Sequence, residues 1–470
     1  REICYKYIIP ITFNNQSSYC ELLQIQKHPH INNQPTIFIS HCWDLNFLSF
    51  IDILTYYSHD HHSPETSLFI DIFCFNQHHS SHLHSAWYST TYRAGIQHIG
   101  KTVMIMSPWE ASRSLTDYRC RWDLYCSVHN PTQTLAPADK RVEIALSPAD
   151  SQEVTRELRA CAPSITHLFQ PFLIQEQVIE PTEDSRRERE REVLMQTISV
   201  SGGYDGVSRV VTDVVQDWLT EMTRSLLHQQ RETEIEEITV WRRALIHVLS
   251  CRGESSEAKE VLERWIEETR TRLGETHVHT LSLRMCLIRT YVQLDTCDKA
   301  QEECERALAG YKTTLGDNNR ETLVCMHQLA AIHILQGNYN TAERMHTECL
   351  CLREMLLGED DPDTLESMCS LASVQSDQNK RTEAKSLLIA ASQKLRIILG
   401  SKHCVTIQCI LNLANLYFTE EHYLDAILLY EEVIIDYKKR FGEKSSQSIM
   451  CQTCLKECRK HTSVTSSVQQ

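Results

Sequence analysis

The stretch Leu357-Gly358-Glu359-Asp360-Asp361-Pro362-Asp363-Thr364-Leu365 decides how this chain is read, because its pattern occurs four more times. Leu273-Gly274-Glu275 precedes Thr280-Leu281, and Leu315-Gly316-Asp317 precedes Thr322-Leu323. Leu399-Gly400-Ser401 precedes Thr406-Ile407, and Phe441-Gly442-Glu443 precedes Ser448-Ile449. The glycines stand at 274, 316, 358, 400 and 442, a step of 42 residues without insertion or deletion. A fixed period of this size marks a stack of like structural units.

Two further series keep the same step: Leu245, Leu287, Leu329, Leu371 and Leu413, then Ala258, Ala300, Ala342, Ala384 and Ala426. Between Leu and Ala lie apolar-periodic turns and a break, such as Gly253-Glu254, Gly337-Asn338 or Gln378-Asn379. This predicts a helix, a tight turn and a second helix. Ala early in the second helix lets the pair approach closely. Gly after it suits a C′ position at positive φ, and the Thr opening the next unit is expected at or beside its N-cap. Asp361-Pro362-Asp363 adds proline and acidic residues at a helix start. The unit is a helical hairpin, and its neighbours in a solenoid cover its faces.

This is the tetratricopeptide pattern with a lengthened second helix. The 42-residue period, the Leu-Gly…Thr-Leu link and Asn412-Leu413-Ala414-Asn415-Leu416-Tyr417 resemble the repeats of kinesin light chains over residues 238 to about 456. The resemblance implies peptide binding in a groove lined by first helices. Measured from the recurrent Leu, it places Met285, His327, Gln328, Ser370 and Asn412 just before it in that groove, and Arg289, Ser373 and Asn415 two residues after it. Ordinary solvated or semi-buried helix surface is the plainer reading of these positions. A chaperone-type carboxylate clamp would find only Arg289. Light chains carry a heptad coiled coil ahead of the repeats; here that place holds a different domain, so association with a motor heavy chain does not carry over.

The N-terminal half changes period. Thr36–Ser40, Ser67–Phe73, Lys101–Ser107 and Arg141–Leu146 are short apolar runs expected as strands. Phe47–Tyr57, Trp87–Ile99 and Tyr118–Val128 are helix-periodic. Alternating strands and helices give an α/β fold, a parallel sheet flanked by helices, with polar residues collecting at strand ends.

Those ends read Phe38-Ile39-Ser40-His41-Cys42-Trp43-Asp44, then Asp71 with Asn76-Gln77-His78, then Ser107-Pro108-Trp109-Glu110. With Cys120-Arg121-Trp122-Asp123-Leu124 they resemble a divergent Toll/interleukin-receptor (TIR) domain over about residues 31–150. The resemblance implies assembly or signalling contacts, including self-association. It also implies a second function: cleavage of NAD at its nicotinamide–ribose bond, with Asp123 in place of the usual Glu and Ser40, Trp43 and Trp109 about the cofactor. Asp is one methylene shorter, and a misplacement of about 1 Å can cost roughly 100-fold in rate. A solvent-facing helix carboxylate is the plain alternative for Asp123, and core packing is expected for Trp122.

Composition limits the rest. The 470 residues hold 47 Lys plus Arg against 62 Asp plus Glu, a formal net charge of -15, which disfavours nucleic acid and acidic membrane as partners. No apolar run is long enough to insert in a membrane. The start, Arg1-Glu2-Ile3-Cys4, reads as an internal fragment and not as a signal peptide. The 20 Cys scatter through helical segments and read as buried reduced thiols of a cytosolic protein, with cytoskeletal association a further expectation. The histidines between His59 and His84 span loops and a strand, so no metal site is expected, and no cofactor apart from NAD under the second function. Ser185–Glu192 mixes charges as a solvated helix or linker. The expected order is an extension over 1–30, the TIR-like domain over 31–165, a helical connector over 166–230, the solenoid of hairpins over 231–460 and a disordered tail over 461–470. The leading function is a cytosolic scaffold or adaptor that binds partner peptides.

Overall fold

The computed structural model describes residues 4–27, 34–60, 66–74, 84–109, 113–128, 142–161, 185–201, 203–230, 235–441 and 446–468. The chain forms two compact units, Arg1–Ser225 and Leu226–Gln470. Of the segment expected as a connector, the described residues 185–201 and 203–225 fall in the first unit.

The first unit opens with short helical turns and α1 (Tyr19–Ile25), whose Ser18 and Glu21 close a capping box. A four-stranded sheet follows, built of β1 (Ile37–Ser40), β2 (Leu68–Ile70), β3 (Thr102–Ile105) and β4 (Val142–Ala145). Its order is β2-β1-β3-β4, and every pair is parallel. The second run is shorter than expected: after Ile70 the chain turns into α3 (Asp71–Cys74), so Asp71 opens a helical turn at the sheet's end. Successive β1 side chains divide between the faces. Ile37 and Ile39 pack with Phe50, Ile53 and Leu54 of α2 (Phe47–Asp60). Phe38 packs on the other side with Ile96 of α4 (Arg93–Ile99) and with Trp122 and Tyr125 of α5 (Tyr118–Val128). Trp122 is fully buried and stacks on Tyr125, as core packing requires. α6 (Pro148–Ala160) follows β4. Leu194 and Ile198 of α7 (Ser185–Ser201) and Val207 of α8 (Gly203–His228) join the Trp122 cluster. The mixed-charge helix is thus fixed to the sheet domain by its apolar face.

Among the described residues, the second unit holds five hairpins and a terminal helix after the end of α8. The hairpins are α9–α10 (Ile235–Arg252, Ser255–Leu273), α11–α12 (Val278–Gln293, Cys297–Leu315), α13–α14 (Arg320–Leu335, Tyr339–Leu357), α15–α16 (Pro362–Asp377, Arg381–Ile398) and α17–α18 (Cys404–Thr419, Tyr423–Phe441). All five recurrent Ala are wholly buried, and the five recurrent Leu nearly so. Gly274, Gly316, Gly358 and Gly400 have φ between 83° and 100°; Gly442 lies outside the described residues. The first three end their helices with ψ near 165°, a region open almost only to glycine.

The threonines are not the caps. His277, Asn319, Asp361 and His403, three residues earlier, accept the capping N–H. Thr280 and Thr322 are buried and donate back to the carbonyls of Gly274 and Gly316, at 3.0 and 2.8 Å. In these two links the motif pins the chain to the glycine that begins it; the equivalent Thr406 donates instead to the Leu395 carbonyl at 3.5 Å.

The turn inside each hairpin also repeats. Gly253, Asp295, Gly337, Asn379 and Glu421 all have positive φ, 42 residues apart. After each, the next N–H reaches back to the carbonyl five residues earlier, as Glu254 does to Leu249 and His422 to Tyr417, which is the Schellman closure. Between hairpins a side-chain ladder recurs: Ser255 donates to Gln293, Gln336 to Asp298 and Gln378 to Asn340. α19 (Ser446–Val468) packs Cys451, Leu455 and Cys458 on the last hairpin. It continues through most of the segment expected as a disordered tail, since extending a helix from a packed turn costs little per residue.

Candidate functional site

The strand ends of the sheet meet around two carboxylates. Asp123 on α5 is 2% exposed. Ser40 Oγ, at the end of β1, donates to Oδ2 at 2.8 Å, and Tyr92 OH donates to Oδ1 at 2.6 Å. Burial raises its pKa to about 6, while Arg119 and the two hydroxyl donors pull the other way. Asp123 is therefore not the solvent-facing carboxylate that helix position alone suggests, and both of its oxygens are taken. Tyr92 was not legible as its partner, because the tyrosine reads as one more apolar position of a helix.

Asp71 is the second carboxylate. It pairs with Arg119, accepts from Trp43 Nε1 at 2.9 Å and lies 3.8 Å from His41 Nδ1. The Arg119 guanidinium lies over the Trp43 ring at 4.7 Å and also reaches Glu190 of α7 at 3.3 Å. Tyr88 OH donates to the same Glu190. Burial first, and then the Arg119 charge, lower the His41 pKa to about 3, so this imidazole is neutral. Trp109 is buried; its backbone N–H donates to Asp150, which also accepts from Ser107 and Ser147.

The residues expected around NAD each have a protein partner: Ser40 bonds Asp123, Trp43 bonds Asp71 beneath the Arg119 guanidinium, and the Trp109 backbone bonds Asp150. The arrangement is a polar lock joining strand ends to α3, α5 and α7. Glu110, Asn76, Gln77 and His78 lie outside the described residues, as do His61, His62, His79 and His82. Among the described residues, no group of three or more His, Cys, Asp or Glu is placed to hold a metal ion, and no helix is long and apolar enough to cross a membrane.

In the solenoid, each first helix from α11 onward packs against both the preceding second helix and its own partner. Positions opposite the recurrent Leu are therefore not all open. Met285 packs on the hairpin core. His327 turns to His346 of α14, ring centroids 4.9 Å apart. Asn415 accepts from Tyr430 of α18 at 2.7 Å. Arg289 is exposed, and Gln328, Ser370, Ser373 and Asn412 are half-buried, with Asn412 accepting from Gln408 at 3.0 Å.

The middle hairpin holds polar groups that pattern reading passed over. His346 is fully buried, and neither ring nitrogen has a protein hydrogen-bond partner. Burial, then the charge of Arg353, lowers its pKa to about 4; burial, then His346, lowers that of His327 to about 3. Arg353 is 2% exposed and donates to the Asp363 carbonyl and to Ser367 Oγ, at 2.6 and 2.8 Å. The signal was in the sequence: His346 stands 42 residues from Cys304 and from Leu388, at a core position.

Models of the tetratricopeptide repeat match residues 279–355, 327–393 and 406–446. No curated protein is a match for the chain. Similar solved structures include nearly identical TPR-like repeats of a Podosopora anserina putative kinesin light chain, at 22% identity, covering 45% of this chain and 98% of that one with a TM-score of 0.38. BtubC (BKLC) from P. vanneervenii is similar at 17% identity, covering 53% and 92%, with a TM-score of 0.36. NprR in complex with its cognate peptide NprX is similar at 15% identity, covering 65% and 83%, with a TM-score of 0.39. The C-terminal half of the chain is a helical solenoid of tetratricopeptide repeats.

Proposed function

We propose that the chain is a cytosolic protein-interaction scaffold whose solenoid takes a segment of a partner protein along its first helices. The observation that carries this reading is the unbroken tandem of repeats with Arg289 exposed and Gln328, Ser370, Ser373 and Asn412 partly exposed on successive first helices. Side chains that donate and accept at regular spacing suit a peptide backbone and its polar groups. The N-terminal unit, read as a divergent TIR-like domain on its parallel strands and strand-end motifs, supplies assembly contacts, including contact with a second copy.

The test is selection of binding peptides on the full-length protein, followed by titration of the best one. Arg289→Glu combined with Asn412→Ala is expected to weaken it by at least about tenfold, or roughly 1.4 kcal/mol. Failure to select any peptide, or unchanged affinity in the double variant, refutes the groove reading. The NAD-cleaving alternative has less support, because Asp123 would have to release Ser40 and Tyr92 before it could meet a ribose. Nicotinamide release from NAD by the purified protein, abolished in Asp123→Ala, would reverse that ranking.

A further inference from the structure

Two thiols face each other where α1 meets α3. Cys20 stands in the first turn of α1, Cys74 ends α3, and their Sγ atoms are 3.6 Å apart. The helices pack on one another, with the rings of Tyr19 and Phe73 beside the thiols at 5.9 Å between centroids. Both cysteines are partly exposed. A disulfide bond is about 2.0 Å long, so closure asks the sulfurs to approach by roughly 1.5 Å.

We propose that Cys20 and Cys74 form a reversible oxidation site, at which a low-molecular-weight disulfide converts the thiol pair into an intramolecular disulfide. The Cys20 thiolate attacks one sulfur of the oxidant RSSR, forming a mixed disulfide and expelling RS⁻. Cys74 passes its proton to that thiolate and attacks the Cys20 sulfur, forming the Cys20–Cys74 bond and expelling the second RS⁻. The protein loses two electrons and two protons, and the oxidant leaves as two RSH.

The surroundings favour this order of events. The hydrogen bond from Cys74 holds the Cys20 thiol below its ordinary pKa, while the same bond and then burial push Cys74 up. One member of the pair is thus the readier thiolate, and the thiolate is the nucleophile. Proximity alone is not enough. Cys304 and Cys325 have sulfurs 3.8 Å apart, but both are wholly buried and each is bonded to the other's carbonyl. Cys351 and Cys404 are exposed. Cys20 and Cys74 combine approach with access.

The bond would act on the strand-end lock. α3 begins with Asp71, which holds Trp43 and Arg119, and ends with Cys74. Oxidation ties that turn to α1, so the redox state of the solvent is written into the element that carries the lock.

The test uses the full-length reduced protein, incubated dilute with glutathione disulfide, then unfolded, alkylated with iodoacetamide and peptide-mapped without reduction. The expected result is a linked Cys20–Cys74 peptide, with alkylation of both falling at least about tenfold, restored by dithiothreitol. Cys304 and Cys325 stay alkylated as in the untreated protein. Cys74→Ser is expected to stop at a Cys20–glutathione mixed disulfide, and Cys20→Ser to leave Cys74 a thiol. Two outcomes overturn the proposal: both cysteines stay alkylatable where Cys351 and Cys404 become glutathionylated, or the parent accumulates a Cys20 mixed disulfide that Cys74 does not resolve. If Cys74→Ser fails to fold, the parent map and Cys20→Ser decide.

Discussion

His346→Leu should stabilise the solenoid, and more at pH 5 than at pH 7. The position belongs to the series Leu262, Cys304, His346, Leu388, Tyr430, every member buried. Only at 346 is the side chain an imidazole with two unpartnered nitrogens. Leaving such groups buried without partners costs about 1–3 kcal/mol. Leu removes them, with a shape mismatch of up to about 1.5 kcal/mol to set against the gain, so a net gain near 1 kcal/mol is expected at pH 7. The pH dependence follows from the pKa, about 4 in the folded chain against roughly 6.5 unfolded. Between those values the unfolded chain binds the proton and the folded chain does not, so stability is lost as pH falls through that window. From pH 7 to 5 the loss from His346 is about 2 kcal/mol, and Leu abolishes it. Hydrogen exchange of the α14 amides in the full chain, corrected for intrinsic rates, reads the local opening free energy. The variant's advantage in protection should widen by roughly 30-fold from pH 7 to pH 5. Comparison at each pH cancels the other titrating groups, including His327 and Glu366, except for their coupling to His346. Equal or lower protection in the variant at both pH values would mean that His346 is satisfied in place.

Other substitutions probe separate parts of the argument. Gly316→Ala places a Cβ where φ is 87° and ψ 169°, and should lower the solenoid's denaturation free energy by roughly 1–3 kcal/mol. Glu421→Gly relieves a left-handed non-glycine residue at φ 62°; the relief of about 1–2 kcal/mol exceeds the added unfolded-state entropy of roughly 0.5–1 kcal/mol, so urea midpoints should rise. Ala342→Leu overpacks a wholly buried helix approach and should cost about 1–3 kcal/mol, whereas Ser373→Ala should stay within about 0.5 kcal/mol in the same denaturation series. Asp123→Ala leaves the Ser40 and Tyr92 hydroxyls without their acceptor; a loss of about 2–5 kcal/mol in thermal unfolding of the first unit is expected, and an unchanged transition would argue against the lock.

What could be read in advance was what repeats along the chain or is bounded locally. Gly274, Ala258 and Leu245 each recur because every hairpin meets its neighbours in the same way, so one mechanical requirement is written five times. β1 and β3 were legible because Pro35 and Pro108 bound their apolar runs. Thr280 misled because its acceptor, the Gly274 carbonyl, is reached by a turn of the link that a capping rule does not contain. The left-handed position at 253, 295, 337, 379 and 421 was hidden because geometry is kept there while residue type is not. The Asp123 lock draws Ser40 from β1 and Tyr92 from just before α4; such convergence is tertiary and leaves no spacing to count. The lock also bears on what the motif match implies for Asp123. Here that carboxylate turns inward, onto the Ser40 and Tyr92 hydroxyls. His346 makes the opposite point: its departure from an apolar series was visible in the 42-residue step, but only to a comparison made position by position. In a repeat protein the informative residue is therefore the one that breaks its own series, because its neighbours supply the control that a single-copy fold lacks.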